Sequence, residues 1–281
     1  MNKSKVICIL GSGRTGTSLM AKTINIMGVN LGDNLIEADQ TNPKGFWEDA
    51  EIVKIHRQLL SRIGRFNYYA SKWENDPVVI ERKNELINYI DDQFNNSNIW
   101  GWKDPKTSQL LDLWKGILKK RNTEVYYIIM IRNPNDVLNS FDRAYGTQKE
   151  LSLKLWYLRT ILSLLKTSGE KRIVVDYNDF IENSLYYFDR IMNQFNISNK
   201  ESKVSLHSKL RDFISPNLRH SKTTLNELNS NSDIPIEHKN LYKLLKRASH
   251  QPKFLESESF ERKIKEHFNN YEIKYKGNDF N

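Results

Sequence analysis

Among the 281 residues there is a single cysteine, Cys8, so no disulfide can form within the chain. The thiol lies inside an apolar run, where a small buried group is expected rather than a nucleophile or metal ligand, and such sparing use of cysteine suits a reducing compartment. No run approaches the ~20 apolar residues that a membrane-crossing helix requires. Met1-Asn2-Lys3-Ser4-Lys5 leads into the first apolar run without a cleavage site, and the expectation is a soluble, cytoplasmic protein with peripheral membrane contact at most. Metal-ligand spacing is missing too, so no metal is expected, and His207, His220, His238, His250 and His267 are read as surface groups. Neither an internal repeat nor a sharp change of composition divides the chain. It is expected to form a single domain over 1–281, with 222–281 a helical tail or lid, in which the Asn- and Ser-rich segment 226–233 is a loop or mobile lid.

Positive charge is what the chain does have: 43 Lys and Arg against 34 Asp and Glu, a formal +9. This balance favours an anionic ligand or surface. The lysines are scattered, however, and no tract of like charge resembles a nucleic-acid arm; a small anionic substrate is the expectation, with no nucleic-acid partner.

Four short runs rich in β-branched and aromatic residues read as strands buried on both faces: 5–10, 98–102, 125–131 and 172–176. Helical patterns separate them, at about 16–27, 49–63 and 78–94, and Asn133-Pro134 reads as a cap and first turn of another helix. Further helical segments fall near 240–248 and 259–269. Alternation of this kind implies an α/β fold with a central parallel sheet and helices on both faces.

After the first strand comes Gly11-Ser12-Gly13-Arg14-Thr15-Gly16-Thr17-Ser18. Strand, glycine-rich turn and helix together make an anion cradle from backbone N–H groups and the helix dipole. A dinucleotide turn would need a strand ending in an acidic residue about 20 residues later, and the region around Asp33 and Glu37 is broken by Gly and Asn. A triphosphate loop would need lysine where Thr17 stands, and an acidic strand end for Mg²⁺, for which only Val174-Val175-Asp176 offers itself.

The sequence resembles sulfotransferases that use 3′-phosphoadenosine 5′-phosphosulfate (PAPS), in particular bacterial members with a P-loop-like, three-layer α/β fold. The resemblance rests on Arg14-Thr15-Gly16-Thr17-Ser18, and on Arg132 at a strand end followed eight residues later by Ser140. It is reinforced by 42–48 (NPKGFWE), 100–107 (WGWKDPKT) and 213–220 (FISPNLRH). It implies that Gly13, Arg14, Thr15, Gly16, Thr17 and Ser18 hold the 5′-phosphosulfate and that Arg132 and Ser140 hold the 3′-phosphate. The implied donor is PAPS and the implied product adenosine 3′,5′-bisphosphate, without metal. The acceptor would be a hydroxyl or amine of a carbohydrate, glycolipid or small metabolite.

Sulfuryl transfer needs fixed positive charge at the leaving phosphate, for which Arg14 and Lys103 are candidates, although Lys103 could equally pair with Asp104 in a turn. It also needs a base for the acceptor. Glu48 is the candidate, with first-turn helix stabilisation as its ordinary alternative; Glu37, Asp104 and His56 follow in that order. Arg219 and His220, with Lys222 nearby, could close over the ligand, and Trp47, Trp100, Trp102, Tyr68 and Tyr69 could line an acceptor cleft, though aromatics at a sheet edge are more often core. Two other readings stand beside this one: a P-loop small-molecule kinase using ATP and Mg²⁺, and a non-catalytic nucleic-acid binder.

Overall fold

The computed structural model describes residues 4–214 and 222–275. Strands β1 (Lys5–Leu10), β2 (Ile99–Lys103), β3 (Glu124–Ile131) and β4 (Arg172–Asp176) form one sheet in the order β2-β1-β3-β4, with every pairing parallel. The helices are α1 (Thr17–Ile26), α2 (Ala50–Ile63), α3 (Pro77–Phe94), α4 (Leu111–Lys120), α5 (Pro134–Tyr145), α6 (Lys149–Leu165), α7 (Tyr177–Glu182), α8 (Ser184–Gln194) and α9 (Lys203–Phe213). Beyond the break come α10 (Leu225–Ser230), α11 (Ile236–His250), α12 (Pro252–Leu255) and α13 (Glu258–Tyr275).

Alternate side chains of each strand serve opposite faces. Val6, Cys8 and Leu10 of β1 join Tyr127, Ile129 and Ile131 of β3 in a core built largely with α2–α6, α11 and α13. Ile7 and Ile9 join Ile128 and Met130 in a second core with α1, α8 and α9. The result is the expected three-layer α/β arrangement, and the strands fall within a residue of where the apolar runs put them. Cys8 is fully buried between Trp102 of β2 and Tyr127 of β3 in the strand register, and burial raises its thiol pKa.

In the segment 222–275, Leu241, Leu245, Phe260 and Ile264 bury their side chains in the first core. Two expectations are corrected. Within the supposed loop 226–233, a Thr224–Glu227 capping box starts α10, and Leu228 anchors it with no exposure. His238 is likewise buried rather than superficial, stacked between Trp156 and Tyr157, with its Nε2 3.1 Å from Leu153 O.

Candidate active site

In an open parallel sheet, ligands bind at the carboxyl ends of the strands where the strand order reverses. Here β1 is followed in sequence by β2 on one side and neighboured by β3 on the other, so the loop after β1 and the end of β3 face each other across that point. Gly11 and Gly16 both adopt positive φ, 139° and 93°, which lets the chain leave β1 and turn into α1. No side chain caps α1, and no acidic residue occupies its first turn. The amides of Thr17, Ser18 and Leu19 therefore open toward a cleft of about 610 Å³.

Arg14, itself at φ 66°, sends its side chain across this cleft. Its Nε donates to Ser140 Oγ at 3.0 Å and its Nη1 to Thr41 O at 3.2 Å. Ser140 faces it because Asn133 caps α5, its side chain accepting from Asn135 N at 3.0 Å, and because Pro134 sets the first turn. Arg132 directly follows β3 and is only 7% exposed. Its Nη1 donates to Arg14 O at 3.2 Å, its guanidinium lies 4.4 Å from the Tyr177 ring centre, and burial pulls its pKa below the ordinary value. Asp136, four residues after Arg132, accepts from Thr223 Oγ1 at 2.6 Å.

Of the described residues, four cations line the cleft (Arg14, Lys44, Arg132 and Arg143) and no carboxylate does; Lys103 and Glu48 are not part of the lining and connect to it through Ser18. Lys44 and Arg143 escaped sequence reasoning, as did Tyr177. Arg143 could have been found from its i+3 spacing to Ser140 on one helix face. Lys44 belongs to a strap over the N-terminus of α1, knotted by Asp39 Oδ1, which accepts from Thr41 N at 2.7 Å and Asn42 N at 2.9 Å. Asn42 Nδ2 ties the strap to Ser18 Oγ at 3.3 Å.

Gly13 and Thr15 occupy different positions from the other loop residues. Gly13 packs against Phe141, whose ring would lie 3.0 Å from a Cβ, and the buried Thr15 closes the loop on itself through Oγ1 to Ser12 O at 2.7 Å. Gly16, Thr17 and Ser18 line the cleft.

The parallel register pairs Ile9 with Lys103, which brings the end of β2 level with the glycine loop. Lys103 Nζ donates to Ser18 Oγ at 3.2 Å and forms an ion pair with Glu48. Both side chains are buried, at 2% and 12% exposure. Lys103 therefore does not pair with Asp104. Nor does Glu48 sit in a helical first turn: Asp49 caps α2, its Oδ1 accepting from Glu51 N at 3.1 Å and Ile52 N at 3.0 Å, and Glu48 precedes the cap.

The other base candidates are placed elsewhere. Glu37 is exposed and, unlike Glu48 with its link through Lys103 to Ser18, has no connection to the cleft lining. His56 and Asp104 are fully buried partners, Nδ1 to Oδ2 at 2.9 Å, with His56 Nε2 accepting from Trp114 Nε1 at 2.8 Å and Lys106 Nζ 3.0 Å from Asp104 Oδ1. This network holds the Asp104 carboxyl well below the usual carboxylate range, against the opposing effect of its burial. It braces the turn after Lys103 and offers no oxygen or nitrogen to the cleft.

Asp176, the acidic strand end, caps α7 through bonds from Asn178 N and Asp179 N and accepts from Tyr242 Oη at 2.9 Å and Lys246 Nζ at 3.0 Å. Of the aromatics, Trp100 and Trp102 stack within the core on Phe94 and Trp114, and both Tyr68 and Tyr69 donate to Glu272. Trp47 borders the strap with Lys22 over its ring at 4.3 Å. Arg219, His220 and most of 213–220 lie outside the described residues. Among the described residues no cluster of three or more His, Cys, Asp or Glu side chains could hold a metal ion, and no helix is long and apolar enough to cross a membrane.

No family model and no curated protein matches the chain. Among solved structures it is similar to a sulfotransferase domain from the Synechococcus PCC 7002 olefin synthase. The two are 18% identical, the comparison covers 86% of this chain and 95% of that one, and the TM-score is 0.49.

Proposed function

We propose that this protein is a sulfotransferase that moves a sulfuryl group from PAPS to a hydroxyl or amine of a small molecule or glycan. The observation that carries the reading is the contact between its two separated motifs, Arg14 Nε to Ser140 Oγ at 3.0 Å with Arg132 bonded to Arg14 O, on the wall of a cleft that the described residues line with cations and no carboxylate. A ligand with phosphates at both ends of a nucleoside needs two anion sites, and the α1 amides and the Arg132–Ser140 wall supply them. A magnesium triphosphate fits less well, because Thr17 stands in place of the lysine and Asp176 accepts from groups of α7 and α11.

In this reading Arg132, Ser140 and Arg14 hold the 3′-phosphate half. The first-turn amides of α1, Ser18 and Lys103 face the phosphosulfate. The cation beside the reacting group is then Lys103 from the neighbouring strand, while Arg14 bridges the two sites. Lys103 and the amides stabilise the charge that collects on the 5′-phosphate oxygen as its bond to sulfur breaks. Glu48, ion-paired with Lys103, takes the proton that the acceptor oxygen or nitrogen loses as it bonds to sulfur.

The test is thermal unfolding in EDTA with adenosine 3′,5′-bisphosphate, which is expected to raise the melting temperature in proportion to the logarithm of its concentration. Protection by ATP with Mg²⁺ and none by the bisphosphate would refute the reading in favour of a kinase.

A further inference from the structure

Four non-glycine residues among those described have a positive φ, and two of them are asparagines, which tolerate it. A third is Arg14 of the glycine loop, and the fourth is Trp47, at φ 57°, directly before Glu48. A bulky side chain keeps the left-handed region only where its surroundings fix it, and such strain collects at functional sites. The surroundings here are specific. Trp47 Nε1 donates to Lys44 O at 2.8 Å, Lys22 Nζ lies 4.3 Å from the ring centre, and the ring packs against the second core. Gly45, itself at φ 90°, leaves room for the indole, since a Cβ there would lie 3.1 Å from Nε1. On the far side of the strained residue, Glu48 O accepts from Ile36 N at 2.8 Å and Ala50 N donates to Asn34 O at 2.8 Å.

These contacts close a ring. Asn42 Nδ2 donates to Gly45 O at 2.7 Å and to Ser18 Oγ at 3.3 Å, Trp47 bonds to Lys44 beside Gly45, Glu48 pairs with Lys103, and Lys103 Nζ returns to Ser18 Oγ at 3.2 Å. Ser18, Asn42, Lys44 and Gly45 line the cleft, so the ring joins the cleft wall to the buried carboxylate. We propose that Trp47 is the positioning residue for Glu48: its left-handed backbone, held by the indole, turns Glu48 onto Lys103 and keeps the carboxylate where the acceptor's proton is taken. Trp47 is not part of the cleft lining and acts through Glu48. The proposal rests on the sulfuryl-transfer reading, in which Glu48 is the base.

The experiment is a double-mutant cycle of Lys103→Met and Glu48→Gln, read by urea unfolding in the wild-type protein and again in Trp47→Phe, which keeps a ring beside Lys22 and loses the N–H. The wild-type pair is expected to couple by at least about tenfold in the folding equilibrium constant. In Trp47→Phe, where the strained turn is no longer held, the coupling is expected to fall below about threefold; lost packing alone does not produce this, because it lowers all four members of the cycle alike. Gly45→Ala presses on the indole without altering it and is expected to weaken the coupling in the same direction, so it decides the matter if a Trp47→Phe member fails to fold. Coupling that stays above about threefold in Trp47→Phe, or no coupling in the wild type, overturns the proposal and leaves the sulfuryl-transfer reading standing. Absence of protection of the wild type by adenosine 3′,5′-bisphosphate in EDTA overturns that reading, and with it the role of Glu48 as a base.

Discussion

Replacing Arg132 by methionine keeps an unbranched stem against Tyr177 and removes the guanidinium. In the unliganded protein this deletes the bond to Arg14 O, worth about 1.5–3 kcal/mol for a charged donor, and also relieves the burial of a charge in a residue only 7% exposed. The two effects oppose each other, so the net change in stability is expected to be about 1 kcal/mol or less, a shift of roughly 4 °C or less for a chain of this length. The liganded state loses far more. Two charge-assisted bonds to a phosphate total about 3–6 kcal/mol, which converts to roughly two to four orders of magnitude in dissociation constant. Isothermal titration with adenosine 3′,5′-bisphosphate in EDTA measures this directly. Arg132→Lys, which retains charge but not the fork, is expected to lose about tenfold. Binding by Arg132→Met within threefold of the parent would refute the assignment of a phosphate to this wall. A melting temperature lowered by more than about 10 °C would instead make Arg132 a structural residue.

Lys103→Met strands the Glu48 carboxylate at 12% exposure and is expected to cost about 3–5 kcal/mol in urea unfolding, whereas Lys103→Met with Glu48→Gln costs less than the single change; additive losses would show that the pair is not coupled. His238 is held neutral, its pKa pulled down by burial to about 4, while in the unfolded chain it titrates near 6.5. Between those values the unfolded state binds more protons, so stability rises with pH across the window and roughly 3 kcal/mol is lost on acidification through it. His238→Gln should flatten the melting temperature between pH 4 and 6.5, and an unchanged slope would contradict the assignment. His56→Ala removes the acceptor of Trp114 Nε1 and the donor to Asp104 and leaves a cavity, a loss of roughly 3 kcal/mol or more. An altered near-ultraviolet circular dichroism of the stacked Trp102 and Trp114 is expected with it.

The strands were readable because each is an unbroken apolar run buried on both faces, a pattern that local sequence carries in full. The cap of α5 was readable for a similar reason, since Asn133 and Pro134 act on their own helix. What was not readable depends on register and on strand order. Lys103 reaches Ser18 because β2 pairs in parallel with β1, and Ser140 reaches Arg14 because β3 lies beside β1; neither adjacency is written in the spacing of the residues. The pairing of His56 with Asp104, 48 positions apart, disappears from view in the same way. The role of the C-terminal helices stayed open because an amphipathic stretch does not disclose which surface it covers.

Cys8 offers a use that has nothing to do with its packing value. A thiol at 0% exposure in an inner strand, flanked in register by Trp102 and Tyr127, can meet a disulfide reagent in solution only after the sheet has parted. Its labelling rate therefore serves as a clock for global opening, in a chain with no second cysteine to confuse the count. Any molecule that fills the cleft beyond β1 should slow that clock by the factor it adds to stability. Candidate acceptors can thus be ranked with the unaltered protein, before any turnover assay exists for them.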